Sequence, residues 1–288
     1  TRLLRLFAII TSLGAYVMIV LGVLVTTTGS GQGCGNSWPF CRGEIVPGTL
    51  TIAGVIEYSH RFSASLDGML VFILVLWAWL TYHKDTRIKL YSVLSVLFIL
   101  VQGALGALTV AFEGSFAFNW ILSIHFGLSL IALAGVILLT IRLFQLGKGQ
   151  KSTAEKSGAG IQRLQWPIWG LALYTYIVVY TGALVAHTGA VTGCGGDFPT
   201  CTTYLPGFSS LAGIQMIHRY ATGLLCLAVL ALLIVVVRNY REHRDVVQAT
   251  WWCVILIALQ AISGMLNVIT EGQMLAALLH ATLISVFF

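Results

Sequence analysis

Eight apolar stretches, at about residues 6–27, 57–80, 88–112, 121–146, 166–187, 211–237, 248–269 and 274–288, dominate this 288-residue chain. A helix that crosses the hydrocarbon core of a bilayer needs roughly 20 apolar residues. Within lipid the backbone must satisfy its own polar groups, and for runs of this length the helix does so inside one segment. The expected fold is therefore an all-α integral membrane protein of eight transmembrane helices. Composition excludes a soluble domain: 58% of the residues are hydrophobic and 9% charged, with a mean hydropathy of +0.90. The first run lacks a small-residue cleavage site behind it, so it reads as an anchor and not as a removable signal.

The formal net charge of +6 has a topological explanation. Arg2 and Arg5 precede the first run, and Lys84, Arg87 and Lys89 lie between the second and third. Arg142, Lys148, Lys151, Lys156 and Arg163 lie at or between the fourth and fifth, and Arg238, Arg241 and Arg244 between the sixth and seventh. On an eight-helix path all of these fall on one side, which the positive-inside rule makes cytoplasmic, together with both termini. The basic excess marks topology and not a nucleic-acid partner. The opposite loops carry Cys34 and Cys41, and Cys194 and Cys201, where an oxidising exterior permits a disulfide within each loop. Cys226 and Cys253 stand alone in apolar runs, where a cysteine acts as a small hydrophobe.

The chain also matches itself. LVTTTGSGQGCGNSWPFC at 24–41 aligns with LVAHTGAVTGCGGDFPTC at 184–201, an offset of 160. His60-Arg61 aligns with His218-Arg219, Gln102 and Gly106 with Gln260 and Gly264, and His125 with His280. A duplicated unit with an even number of helices enters the membrane twice in the same sense. Two four-helix bundles related by a pseudo-twofold axis along the membrane normal are expected: residues 1–146 and 166–288, joined by a cytoplasmic linker at 147–165 rich in Gly, Ser and Lys.

Four of the seven histidines therefore recur, two per unit, near the outer ends of the second, fourth, sixth and eighth helices. Ionisable groups in a membrane span are costly and mark function by default. A lone histidine would read as a packed residue with one hydrogen bond; a pair present in both copies does not. Two histidines on separate helices of a bundle, at similar depth, suit the two faces of a haem iron. Zinc would want further ligands nearby, and the second unit offers only Gln215 where the first has Glu57. Arg61 and Arg219, at the membrane boundary, suit haem propionates, or alternatively snorkel to lipid headgroups.

The sharpest departure from the repeat is Glu57 opposite Gln215, three residues before the aligned histidines. Residues at i and i+3 share a helix face, so one site has a carboxylate beside it and the other a neutral amide. That asymmetry makes the first unit the catalytic one and the second the holder of a fixed cofactor. Asp67, whose counterpart is Leu225, is either a proton relay or, on balance, a structural group paired inside the bundle. His187 has no repeat partner and reads as a helix-end residue; His83 and His243 read as surface residues. Gln102 with Gly106, and Gln260 with Gly264, suggest close helix packing plus an interhelical hydrogen bond. Trp38, Tyr82 and Trp166 fit the interfacial aromatic belt.

The motif TGSGQGCGNSWPFC, the block EYSHRF at 57–62 and the repeated histidine pairs resemble the bacterial haem A synthase family over essentially the whole chain, in particular the kind with a cysteine pair in two outward loops. The resemblance implies a location in the bacterial cell membrane and a multi-step oxidation of the C8 methyl of haem O to a formyl group through a hydroxymethyl stage. It makes Glu57 the catalytic carboxylate, His60 and His125 the axial ligands of the substrate haem O, and His218 and His280 those of a haem b cofactor. It also implies disulfides Cys34–Cys41 and Cys194–Cys201, and contact with the haem O synthase that supplies the substrate. Because two histidines fill both axial positions, one of His60 and His125 is expected to leave the iron during turnover, with Glu57 stabilising a cation at the C8 carbon or activating water. Two rival classes are a diheme b-type electron carrier without substrate chemistry, against which the Glu57/Gln215 asymmetry argues, and a thiol oxidoreductase, which would normally display C-x-x-C.

Overall fold

The structure, a computed structural model, describes residues 2–115, 117–147, 162–201, 204 and 206–288. Most of the expected linker, with Lys148, Lys151 and Lys156, lies outside the described residues. Among the described residues the chain is all-helical: α1 (Arg2–Thr27), α2 (Ile52–Thr81), α3 (Thr86–Ala111), α4 (Phe118–Gly147), α5 (Gln165–His187), α6 (Leu211–Asn239), α7 (Arg244–Ile269) and α8 (Met274–Phe287). The first seven are long and apolar enough to cross a membrane; α8, with 14 residues, is a shorter apolar helix. Large apolar side chains such as Phe72, Leu80, Trp169 and Leu227 are exposed along these helices, a surface suited to lipid and not to water.

Helix starts follow their caps. Thr51 and Ser210, at equivalent places in the repeat, accept the N–H of Gly54 and Gly213 at 3.1 and 3.0 Å, contacts worth about 1 kcal/mol each. The Thr51 cap starts α2 five residues before the expected 57, because Ile52 to Ile56 are apolar and helix-competent once the first turn is capped. This correction matters for the site: Glu57 and His60 stand inside the helix and not at its end.

The chain divides into two compact units, Thr1–Thr153 and Ala154–Phe288. In the first, α1 packs on α2, α2 on α3, α3 on α4 and α4 on α1, a closed four-helix ring. Its apolar core, Leu4, Ala8, Val71, Leu74, Ala78, Ile88, Val136, Leu139 and Leu143, lies toward the end where the basic residues cluster. There Arg142 on α4 pairs with Asp85, the N-cap of α3, at 2.5 Å. Burial pushes the Asp85 carboxyl up, but the Arg142 hydrogen bond and the Ile88 N–H outweigh it and hold the group below its ordinary range. In the second unit α5 packs on α6, α6 on α7 and α7 on α8. Its core joins Val178, Leu225, Val229 and Ile257 to Phe287, and Cys226 and Cys253 pack against it as small apolar groups.

Candidate functional site

His60, His125, His218 and His280 are the ninth, eighth, eighth and seventh residues of their helices, roughly 10 Å along the axis from each start. Each ring lies against a glycine of the preceding helix. A Cβ added at Gly22 would stand 3.1 Å from His60 Cε1, at Gly106 3.8 Å from His125 Cε1, at Gly182 2.8 Å from His218 Cε1, and at Gly264 3.0 Å from His280 Cε1. At Gly22, Gly182 and Gly264 an added Cβ would crowd the imidazole, so glycine makes room for the ring, whereas at Gly106 it would make ordinary van der Waals contact. Gly106 and Gly264 were legible in the sequence as close-packing positions. Gly22 and Gly182 were not singled out, although the 160-residue offset aligns them. A Gly182→Ala substitution is expected to push the His218 ring out of place at a cost of about 1–3 kcal/mol in stability, measured by denaturant unfolding in detergent.

In the second unit the imidazole tautomers are set. Thr181 Oγ1 donates to the Val178 carbonyl at 2.8 Å and lies 2.9 Å from His218 Nδ1. Its proton is committed, so the hydroxyl accepts the Nδ1–H. Ser263 repeats the arrangement, donating to the Gln260 carbonyl at 2.9 Å and accepting from His280 Nδ1 at 2.9 Å. Both rings therefore present a bare Nε2, the nitrogen a metal takes. On His280 that nitrogen lies 3.3 Å from the Gln260 amide nitrogen, a donor. The expected interhelical hydrogen bond thus exists for Gln260, whereas both amide atoms of Gln102 are buried without a hydrogen-bond partner.

Glu57 is buried, 4% exposed, and both of its oxygens are engaged: Oε2 accepts the Cys34 N–H at 2.7 Å, and Oε1 pairs with Arg61 Nη2 at 2.5 Å. Arg61 also donates to the carbonyls of Ser37 and Phe40 at 2.8 and 2.6 Å. Gln215 holds the second loop in the same way: its Oε1 accepts the Cys194 N–H at 3.0 Å and its Nε2 donates to the Val191 carbonyl at 2.8 Å. Without a carboxylate beside it, Arg219 donates to the carbonyls of Asp197 and Pro199 at 2.9 and 3.0 Å and stacks over Phe198. Both arginines therefore tie down the loops that close the histidine end of each unit. Those loops carry the disulfides Cys34–Cys41 and Cys194–Cys201. They lie flat on the helix starts because Gly33 and Gly193 leave no side chain to strike the backbone of Ala53 and Leu211.

Asp67 lies two turns deeper in α2, 4% exposed, with Oδ1 against Gly14 and no hydrogen-bond partner for that oxygen. The polar partner expected for it inside the bundle is not found at Oδ1. His187 ends α5, as the sequence suggested.

Among the described residues no three metal-ligating side chains gather into one group. What each unit supplies instead is a pair of imidazoles beside glycines on separate helices, each about two turns inside its helix. That donor set fits a metal whose remaining ligands arrive with a macrocycle, as in a bis-histidine haem.

Residues 5–288 match the cytochrome oxidase assembly protein family COX15-CtaA. The chain belongs to this family. Among the curated proteins it is similar to the haem A synthases of Halalkalibacterium halodurans, 40% identical over 290 residues covering all of this chain and 94% of the relative, and of Bacillus mycoides, 41% identical over 288 residues covering all of this chain and 90% of the relative. The haem A synthase of Bacillus cereus strain AH187 is 40% identical over the same span. The match to the COX15-CtaA family runs through both repeats, so both histidine pairs, both cysteine pairs, Glu57 and both arginines lie within it.

Proposed function

We propose that this protein is an oxidoreductase that converts haem O to haem A, in two successive two-electron oxidations of the C8 methyl group, through the hydroxymethyl to the formyl group. The observation that carries this reading is the asymmetry between two otherwise matched sites: Glu57 with its Arg61 partner in the first unit, Gln215 in the second. An electron carrier has no use for such a difference, whereas an enzyme with one substrate site and one cofactor site does. Relatives about 40% identical over the whole chain and named haem A synthase support it.

In this reading His60 and His125 hold the substrate haem O, and His218 and His280 hold a haem b. When bound, that haem b supplies one-electron redox chemistry. Glu57 shares a helix face with His60; its carboxylate stabilises positive charge developing at the C8 carbon or takes a proton from water beside it. Arg61 and the Cys34 N–H orient that carboxylate. Arg61 and Arg219 anchor the closing loops and would be the partners of the haem propionates; the Arg219 Nε is buried without a partner and would be available to a carboxylate. The disulfide loops cover the sites from the outer side.

The topology that completes this reading has eight transmembrane helices, α8 included, in two bundles at 1–146 and 166–288 related by a pseudo-twofold axis along the membrane normal. Both termini are cytoplasmic, and the membrane is the bacterial cell membrane. A transient contact with the haem O synthase delivers the apolar substrate without passage through water.

The test is the haem composition of cells that make haem O but lack a haem A synthase, with and without this chain. Chromatography of extracted haem is expected to show a formyl haem only when the chain is expressed. An unchanged haem profile with well-expressed, haem-loaded protein would favour a diheme electron carrier and end the synthase reading.

A further inference from the structure

Both units seat their histidines on glycines, yet they differ in what stands behind the imidazoles. In α5 and α7 the residue just before the seating glycine is a hydroxyl, Thr181 before Gly182 and Ser263 before Gly264, and each accepts a histidine Nδ1–H at 2.9 Å. In α1 and α3 the aligned residues are Leu21 before Gly22 and Leu105 before Gly106. Leucine has nothing to accept with. The His60 Nδ1 is accordingly buried without a hydrogen-bond partner; the Met18 carbonyl interacts with its ring but falls short of hydrogen-bond geometry.

We propose that Thr181 and Ser263 are positioning residues that make the second unit a haem-retaining site, and that leucine at 21, behind His60, makes the first unit a haem-exchanging site. The proposal rests on the reading that each histidine pair holds a haem, but it sorts the two sites by a feature independent of Glu57. A hydroxyl that accepts Nδ1–H fixes the ring orientation and tautomer and pushes electron density toward Nε2, making it a stronger ligand. Within a membrane bundle the low dielectric strengthens that polarisation. The bond also favours the ferric over the ferrous state, so it lowers the reduction potential of the retained haem. In the first unit His60 has no side-chain tether on Nδ1. Its ring can turn away from an iron at the loss of the Met18 carbonyl contact alone, as a site must allow if substrate is to enter and product to leave.

Purified full-length protein carrying both haems, mixed with excess apomyoglobin, reports haem release; chromatography of the acceptor separates haem b from haem O. Wild-type protein is expected to give up haem O quickly and keep haem b. Thr181→Val with Ser263→Ala should release haem b about 10–100-fold faster, the range for loss of such a partner, and should show a higher midpoint potential for that haem. Thr181→Ser should restore both values, which a merely structural role for the methyl-bearing side chain would not do. In the converse variant, Leu21→Thr, the new hydroxyl can bond the Met18 carbonyl as Thr181 bonds that of Val178, and haem O release should slow. Unchanged haem b release and potential in the double variant, with haem b lost from His218→Ala, would overturn the positioning role and leave the haem assignment standing. Haem b kept by His218→Ala would overturn both together.

Discussion

Replacing Glu57 by Gln is expected to leave both haems bound and to slow the oxidation of haem O by about a hundredfold or more, the scale for removing one preorganised electrostatic group from a reacting centre. The structure makes this variant unusually clean. Gln215 already shows that an amide at this position holds the first cysteine's N–H, at 3.0 Å in the second loop against 2.7 Å for Glu57 in the first. Glu57→Gln therefore keeps the loop anchored and removes only the charge and the partner of Arg61. Glu57→Ala removes the acceptor of the Cys34 N–H as well, so it tests folding as much as chemistry. The measurement is haem A formed per haem-loaded protein, with the optical spectrum as the check on binding. Undiminished haem A from Glu57→Gln would reduce Glu57 to a loop clamp and remove it from the mechanism.

Loss of either second-unit histidine is expected to have the other large effect. On the proposed assignment His218→Ala and His280→Ala each remove one of two axial ligands and, with it, nearly all of the haem b, read as absorbance in the Soret band per protein and as haem b by mass spectrometry. His60→Ala is expected to spare that haem and abolish turnover, since it acts only on the first unit. The contrast is the informative quantity. Haem b that survived both second-unit changes would reverse the roles of the two units.

Most of what bears on function was written in the residues because the chain contains two copies of one unit. Agreement between copies exposed the histidine pairs, the cysteine pairs and the arginines, and disagreement exposed Glu57 against Gln215. The helix runs were legible because a bilayer demands long uninterrupted apolar segments. Boundaries were less so: the start of α2 moved by five residues, since the Thr51 cap and not the hydrophobic pattern decides where the first turn forms. The hydrogen bonds of Arg61 and Arg219 to loop carbonyls could not be read, because the conformation of residues 34–41 and 194–201 depends on how the loops fold back over α2 and α6. For Asp67 the residues leave a proton relay and a structural pairing as alternatives, and the structure adds that its Oδ1 is buried without a hydrogen-bond partner. A side chain's depth follows from helix periodicity; what lies across from it does not.

By itself, the sequence settled the class of protein, the duplicated organisation, and which residues differ between copies, since hydrophobicity and repetition are properties of order along a chain. Only the tertiary structure decided that Glu57 and Gln215 share one structural task, that glycines seat the four imidazoles, and that Thr181 and Ser263 stand behind two of them and not behind the others. These facts depend on contacts between helices, where a difference of one methyl group or one hydroxyl determines how closely two backbones approach and which ring nitrogen keeps its proton.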